Sequence, residues 1–285
     1  MSYRVLLKMG DVMKSKESLS LRFLYHTVVG RFCLKILVSR WVSFIVGKFL
    51  DSKWSKVIIP RFIKRNQIVM DDYDCASFQC FNDCFTRKVK VGRRSIDLDK
   101  NHFISPCDGL VSAYCIKKDL VIPVKQSQYS ITSLLQDDEL ASRYQDGICL
   151  VFRLCVHHYH RYCYVDSGDK GKNVYIPGKL HTVRPIALES LPVFTENARE
   201  YTVMHTEHFG VVTQIEVGAL LVGKIKNHHE EYHFVKGEEK GMFLYGGSTI
   251  VLLLEKGSVK IAEKIFEKTR LGEEYEVKMG ERISE

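Results

Sequence analysis

The stretch MFLYGGSTIVLLLEK, residues 242–256, begins and ends as a buried β-strand and is interrupted by two glycines, a serine and a threonine. Short apolar runs of the same kind, divided by Gly, Pro and Asp, fill the chain from about residue 102: GLVSAYCI, LVIPVK, GICLVFRLCV, REYTVMHT and VVTQIEVGALLVGKI. Such runs with turn residues between them predict a predominantly antiparallel β body. One helix is expected within it, in SITSLLQDDELASRY near 130–144.

The first part of the chain is basic and amphipathic. Residues 1–66 hold 14 Lys and Arg against 3 Asp and Glu, a net charge of +11, whereas the remainder, with 28 against 31, carries −3. Large apolar residues recur there at helical spacing, but no charge-free run approaches the ~20 residues that span a bilayer. We expect amphipathic helices at an anionic membrane surface. The alternative is a helical hairpin that only covers the core.

These patterns predict an α+β protein with membrane-association helices in residues 1–66 and a second domain, which contains the β body, in residues 67–285. Nucleic acid is not expected as a partner, because aliphatic residues rather than polar base readers separate the basic ones. The nine cysteines form no Cys-x-x-Cys pair and follow no recognisable signal peptide. We therefore expect reduced thiols, not disulfides.

The segment VHHYHRYCYVDSG concentrates His157, His158 and His160, followed by Arg161 and Cys163. Three imidazoles and a thiol are proper zinc ligands, but their spacing does not match that of known zinc sites, so no metal is expected. A general base or an amine-binding group fits the segment better. In an extended strand His158 and His160 would point to the same face.

Two further places carry unusual residues. Asp108, in SPCDGL, stands at the entry to a strand, where a turn aspartate is the alternative interpretation. Gly247 has no Cβ, so the Ser248 hydroxyl could turn back onto the preceding carbonyl. A base that removes the hydroxyl proton would let Ser248 attack that carbonyl and convert the peptide to an ester. A glycine-rich turn without chemistry is the alternative.

Seven segments in order resemble the phosphatidylserine decarboxylase family, over residues 80 to 255. They are FNDCFTRK, ISPCDGLV, HYHRYCYVDSG, YIPGKLHTVRPIA, FTENAREYTV, FGVVTQIEVGALLVGKI and KGEEKGMFLYGGSTIVLL. The Gly-Gly-Ser-Thr form is similar to one branch of that family. The resemblance implies an enzyme that cuts itself between Gly247 and Ser248, giving a β chain 1–247 and an α chain 248–285 that begins with a covalent pyruvoyl group.

The resemblance also implies roles for individual residues. Asp108 matches the family's processing aspartate, and His160 matches its catalytic histidine. Cys163 stands where many members have a second histidine, the processing base. His158 stands where the family has an aspartate. The processing base therefore stays open among His160, His158 and His181 of GKLHTV, with His160 favoured for decarboxylation and His181 next for processing.

The implied reaction is decarboxylation of phosphatidylserine to phosphatidylethanolamine through a Schiff base with the pyruvoyl carbonyl, which needs no diffusible cofactor. We assign substrate binding to His158 and Arg161. The expected location is the cytoplasmic face of the cell membrane, as a peripheral protein, and a homo-oligomer is compatible with the sequence. Two other functions stay open: a silent lipid-binding homologue, and a pyruvoyl decarboxylase of a soluble amino acid.

Overall fold

The computed structural model describes residues 27, 40–74, 77–124, 127–180, 195–218, 224–246 and 248–285. The chain divides into two compact units, residues 1–48 and 49–285. The helices expected before residue 40 lie outside the described residues, and the predicted division at residue 66 stays a prediction. In the part of the chain that is described, every helix is too short or too polar to cross a bilayer.

Short helices precede the β body. Helix α1 covers Arg40–Leu50, a 3-10 helix covers Lys53–Ile58, and α2 covers Ile59–Arg65. Pro60 stands in the first turn of α2, where its missing N–H leaves no hydrogen bond unmade. A second 3-10 helix over Met70–Asp72 and helix α3 over Phe81–Phe85 follow.

The main sheet has nine strands, and every strand pair in it is antiparallel. The strands are β1 Gly109–Cys115, β4 Ile148–Leu154, β6 Gly168–Lys170, β7 Val174–Ile176, β10 Arg199–Thr206, β11 Val211–Val217, β13 Tyr232–Phe234, β15 Ser248–Leu254 and β16 Tyr275–Val277. Their order is β13-β6-β10-β11-β15-β4-β1-β16, with β7 also paired to β10. The predicted α+β class with an antiparallel β body is confirmed.

Strand β15 is central in this sheet and buried throughout its length. It pairs with β11 on one side and with β4 on the other. Its sequence, STIVLLL, carries no charge, as expected for a strand that is covered on both faces.

A second, three-stranded sheet shares an apolar core with the first. It consists of β5 Arg161–Cys163, β12 Ile225–Asn227 and β14 Glu239–Phe243, in the order β12-β14-β5. Phe152 and Leu252 of the main sheet and Tyr162 and Phe243 of the second sheet belong to this core.

A fully buried ion pair joins the two sheets. Lys240 Nζ on β14 lies 2.7 Å from Glu216 Oε1 on β11, and neither side chain is exposed. The Lys240 ammonium also donates to Asn227 Oδ1 at 2.9 Å, and Gln214 donates to Glu216 at 2.9 Å. This network satisfies charges that would otherwise be costly to bury.

The opposite face of the main sheet packs on helices α4, Ile131–Leu135, and α5, Asp138–Arg143. They replace the single helix expected near 130–144. Gln136 adopts a left-handed conformation (φ 53°) that ends α4, and Asp137 then caps α5 by accepting the Leu140 N–H at 2.9 Å.

The remaining elements are small. Strands β2, Ile122–Val124, and β3, Ser127–Tyr129, form one hairpin, and β8, Lys179–Leu180, pairs with β9, Thr195–Glu196. Helix α6 covers Glu263–Arg270 and leads to β16.

Candidate active site

Ser248 is the first residue of β15 and lies opposite Leu154 of β4. Its side chain is buried, and its hydroxyl lies 3.2 Å from the Gly246 carbonyl oxygen, so it is turned back along its own chain. Gly246 has a φ of 139°, a conformation that glycine adopts without strain. Gly247, and with it the predicted cleavage bond, lies outside the described residues, as does His181.

Asp108 immediately precedes β1, which is the other neighbour of β4. Leu110 pairs with Arg153 and Ser248 pairs with Leu154, so Asp108 and Ser248 lie at the same end of the sheet. The two strands flank β4, which separates their backbones by about 10 Å. The fold thus brings these two predicted residues to the same end of the sheet, on either side of strand β4.

The Asp108 carboxylate is buried and held from two directions. Arg94 donates through Nε to Oδ1 at 2.8 Å and through Nη2 to Oδ2 at 2.5 Å. The Met279 N–H donates to Oδ1 at 2.9 Å. Burial acts to lower the pKa of Arg94, but its hydrogen bonds to Asp108 and the Asp108 charge outweigh burial and raise it. Asp108 therefore connects the segment before β1 with the last residues of the chain.

His158 lies in a turn that its own imidazole closes. The Cys155 N–H donates to His158 Nδ1 at 3.0 Å, and the His158 N–H donates to the Cys155 carbonyl at 2.9 Å. Because a backbone N–H can only donate, Nδ1 accepts, and the neutral ring carries its proton on Nε2. Burial and the nearby His157 lower the pKa of His158 to about 4, against a smaller opposite effect of the Asp108 charge.

His160 has the opposite tautomer. Its Nδ1 lies 3.0 Å from the His158 carbonyl oxygen, which can only accept, so Nδ1 carries the proton. Its Nε2 is buried and has no hydrogen-bond partner among the residues that the structure describes. Burial is the main reason that the pKa of His160 falls to about 3. The site therefore contains two neutral imidazoles, one with a free lone pair and one with an N–H at Nε2.

Helix α3 brings His160 beside the segment that leads to Ser248. The Phe85 ring lies 4.1 Å from the His160 ring and 5.7 Å from the Tyr245 ring. Asn82 Oδ1 accepts the Tyr245 N–H at 3.3 Å, and the Phe243 N–H donates to the His160 carbonyl at 2.9 Å. These contacts fix the segment between β14 and β15 and the histidine relative to each other.

The histidine segment is not a strand. Residues 156–158 form a turn, and β5 begins only at Arg161. The expectation that His158 and His160 share one face of an extended strand is therefore wrong. They are related instead by the hydrogen bond from the His160 ring to the His158 carbonyl.

Arg161 and Cys163 lie on β5. Arg161 donates through Nε to the Thr86 carbonyl at 2.8 Å and through Nη1 to Glu239 at 2.8 Å, so these donors are occupied by the protein itself. The role of Arg161 in substrate binding stays a prediction. Burial raises the pKa of the Cys163 thiol to about 12, and its Sγ lies 3.9 Å from the Ser105 carbonyl. A neutral, enclosed thiol cannot act as the base that the resemblance places at this position.

Sequence reasoning missed Arg94, Asn82, Phe85 and Arg87 as residues of this site. The last three belong to FNDCFTRK, which was noted only as part of the resemblance, and Arg94 carries no local signal of its pairing with Asp108. Within the described ranges, no three His, Cys, Asp or Glu side chains are arranged to hold a metal ion.

Comparison with known proteins gives a consistent result. The family model described as phosphatidylserine decarboxylase matches residues 81–285. A protein of Clostridium acetobutylicum named phosphatidylserine decarboxylase proenzyme 2 is 46% identical over 273 residues, which cover 95% of this chain and 94% of that protein. Proteins of Clostridium botulinum and Clostridium novyi, each named phosphatidylserine decarboxylase proenzyme, are both 39% identical, over 96% and 97% of this chain and 95% and 96% of their own length.

Proposed function

The chain belongs to the phosphatidylserine decarboxylase family, and we propose that it converts phosphatidylserine to phosphatidylethanolamine with a pyruvoyl group made from its own Ser248. The relatives are named proenzymes, which supports maturation of a precursor. Cleavage between Gly247 and Ser248 yields a β chain 1–247 and an α chain 248–285. The observation that carries the proposal is the buried Ser248 at the start of β15, preceded by the segment from β14 that is hydrogen-bonded to a neutral His160 with a free Nε2.

The Ser248 hydroxyl begins the maturation. It attacks the Gly247 carbonyl carbon, the C–N bond breaks, and an ester forms while the base takes the hydroxyl proton. Loss of the Cα proton of residue 248 then expels the Gly247 carboxylate. Water replaces the nitrogen of the resulting dehydroalanine as ammonia, which leaves the pyruvoyl group. The position of the Ser248 hydroxyl, 3.2 Å from the Gly246 carbonyl oxygen, supports an attack directed back along the chain.

The site is compatible with a pyruvoyl group, because Ser248 is buried and the segment before it contacts His160, whose Nε2 lone pair has no donor among the described residues. When present, the group supplies an electron sink for the decarboxylation of a bound amino acid. His160, through its free Nε2, accepts and returns a proton near the end of β15. His158 presents an N–H at Nε2 and serves as a donor to the substrate.

Both imidazoles are neutral at pH 7, because their pKa values of about 3 and about 4 lie far below it. A neutral ring has the lone pair that a base or a hydrogen-bond acceptor needs, and it is uncharged in the apolar core until it takes up a proton. We propose that Asp108, held by Arg94 and Met279, acts in processing by keeping the β1 edge and the last residues of the chain in register. His181 stays a proposed alternative base.

A surface near α3 supports a peripheral membrane location. Trp54 and Val57 are 83% and 74% exposed, on a 3-10 helix that also carries Lys53 and Lys56. Exposed aromatic and aliphatic side chains beside lysines are suited to the headgroup region of an anionic bilayer. We propose that this surface, which is part of the amphipathic residues 1–66, binds the cytoplasmic face of the membrane.

This surface is also connected to the site. The Ser55 hydroxyl accepts the Phe81 N–H at 2.7 Å, and the Asn82 amide donates to Asp51 at 2.6 Å. Both partners are in α3, whose Asn82 also accepts the Tyr245 N–H. A lipid headgroup bound at this surface would therefore be connected, through α3, to the segment that leads to Ser248.

Intact mass spectrometry of the purified protein tests the proposal. We expect two chains, the smaller starting at residue 248 and blocked by a pyruvoyl group. Ser248→Ala should give one uncut, inactive chain. An uncut wild-type chain with an ordinary serine would exclude the proposed enzyme and leave a silent lipid-binding homologue. Cleaved protein that decarboxylates free serine at least as efficiently as phosphatidylserine would instead favour a pyruvoyl decarboxylase of a soluble amino acid.

A further inference from the structure

Arg87, two residues after α3, is fully buried and directed at the histidine segment. Its Nη2 donates to the His157 carbonyl at 2.8 Å and to the His158 carbonyl at 3.0 Å. Its Nη1 lies 3.4 Å from the carbonyls of Cys84 and Phe85. The guanidinium thus links the end of α3 to the turn that precedes β5.

The charge of Arg87 is not neutralised by an acidic side chain in the part of the chain that the structure describes. The Tyr73 ring lies 4.3 Å from the guanidinium carbon, and Nη2 donates to the Tyr73 hydroxyl at 3.4 Å. The other partners are backbone carbonyls. Its Nε is buried without a hydrogen-bond partner among the described residues. Fully buried cations are normally paired with carboxylates, so this arrangement is costly for stability alone.

The His158 carbonyl connects Arg87 to His160. It receives one hydrogen bond from Arg87 Nη2 and a second from His160 Nδ1, both at 3.0 Å. The second bond is the one that places the proton of His160 on Nδ1 and leaves Nε2 with its lone pair. If the carbonyl turned away, the Nδ1 proton would lose its acceptor, and the other tautomer or a rotated ring would become accessible.

We propose that Arg87 is a positioning residue for His160: it fixes the His158 carbonyl and thereby keeps the His160 ring oriented with Nε2 unprotonated. The inference rests on the proposed role of His160 in the reaction. No hydrogen bond joins Arg87 to Ser248 among the described residues, and Arg87 acts through the carbonyl and through its positive charge.

The charged and titratable groups that act on His160 are few. Arg87 contributes from the segment after α3, and His157 and His158 contribute from the turn that His160 follows. Phe85 of α3 contributes an apolar ring, and Phe243 of β14 contributes a backbone N–H. All three charged or titratable neighbours oppose a second proton on the ring, and Arg87 is the one whose charge is permanent.

The test compares Arg87→Met, which removes the charge and the donors, with Arg87→Lys, which keeps a charge and one donor direction. The kcat and KM of cleaved enzyme, per pyruvoyl group, are measured on detergent-dispersed phosphatidylserine from pH 3 to 8, a range that includes the pKa of His160. For Arg87→Met we expect kcat to fall about 100-fold, the low end of a general base's contribution, with little change in KM. The acid limb of the kcat profile should move up by about one pH unit, because the charge that lowers the pKa of His160 is lost. Arg87→Lys should partly restore both kcat and the position of the acid limb.

Long-range ¹H–¹⁵N spectra of the histidine side chains provide a readout that does not need activity. They are recorded on the uncut Ser248→Ala protein, with His160→Asn to assign the His160 signals. We expect an Nδ1–H tautomer at His160 and a mixture or reversal after Arg87→Met. The same tautomer with and without Arg87 would overturn the inference. If no pyruvoyl group forms in wild-type protein, the function fails, while the spectra still decide the role of Arg87.

Arg199 offers a matched control. It is likewise fully buried, donates to the carbonyls of Leu134 and Ser133 at 2.6 Å, and stacks 5.3 Å from the Tyr129 ring, on the other face of the main sheet. Arg199→Met should lower stability without moving the acid limb or the His160 tautomer. Equal changes in both variants would mean that Arg87 has only a structural role.

Discussion

Acidification from pH 7 to pH 5 should destabilise the folded protein by about 2 kcal/mol through His160 alone. Burial lowers the pKa of His160 from 6.5 to about 3 in the folded state. Between these values the unfolded chain binds a proton that the folded chain does not. The contribution to stability is therefore complete above pH 6.5 and is lost as the pH falls toward 3.

The magnitude follows from the unfolded state. At pH 5 an imidazole with a pKa of 6.5 has about 30 protonated molecules for each neutral one. Each factor of ten in this ratio corresponds to about 1.36 kcal/mol of free energy. This gives about 2 kcal/mol, since the folded ring stays neutral at that pH. The pKa of His158 is lowered in the same direction, so the protein as a whole should lose more.

Urea unfolding at pH 7, 6 and 5, followed by tryptophan fluorescence, measures this loss. The uncut Ser248→Ala protein is used, so that unfolding involves one chain. His160→Asn keeps a side-chain N–H near the His158 carbonyl but cannot titrate, and it should remove about 2 kcal/mol of the pH dependence. His233, whose side chain is exposed and lies 3.0 Å from Asp169, provides the control variant His233→Asn. The same pH dependence in His160→Asn as in its parent would refute a buried, neutral His160.

Three other substitutions test the fold and the proposed site. Glu216→Gln leaves the fully buried Lys240 without its ion pair and should cost about 3–5 kcal/mol in urea unfolding, which Lys240→Met in the same chain should largely restore; an additive loss would contradict the pairing. Gly246→Ala places a Cβ at a φ of 139° and should cost about 1–3 kcal/mol and slow cleavage, as followed by mass spectrometry; cleavage at the wild-type rate would show that this conformation is not needed. Trp54→Asp should weaken sedimentation with phosphatidylserine vesicles while activity on detergent-dispersed substrate persists, with Val57→Ser as a milder comparison; equal loss in both assays would reject a membrane role for this surface.

The antiparallel body was predictable because its signal is local: β15 is seven uncharged residues, and its neighbours have similar lengths. The division of the 130–144 helix was not, because it depends on a left-handed Gln136 that no pattern demands. The ion pair of Arg94 with Asp108 and the bond from Arg87 to the His158 carbonyl were equally hidden. Each joins segments whose encounter is decided by tertiary packing, whereas sequence patterns describe near neighbours.

The candidate site was likewise predictable only in part. Ser248, Asp108, His158 and His160 were chosen by residue type and by the resemblance, and the fold places them at one end of the two sheets. The relation of the two histidines was misjudged. His158 lies in a turn closed by the Cys155 N–H, and His160 follows that turn. The tautomers of both rings follow only from the atoms that face them.

The central position of β15 has a consequence for the life of the protein. A cut before Ser248 would leave the carboxyl-terminal fragment threaded between β11 and β4, with no route out that does not break both ladders. Scission of a molecule that has completed its sheet would thus leave its two chains held together by these ladders. Unfolding after the cut would also be difficult to reverse. The separated fragment that contains β15 would have to bind the other chain again as a second molecule, whereas in the uncut protein it is covalently attached. Longevity of the mature enzyme would then depend on how slowly it opens, not on how readily it refolds.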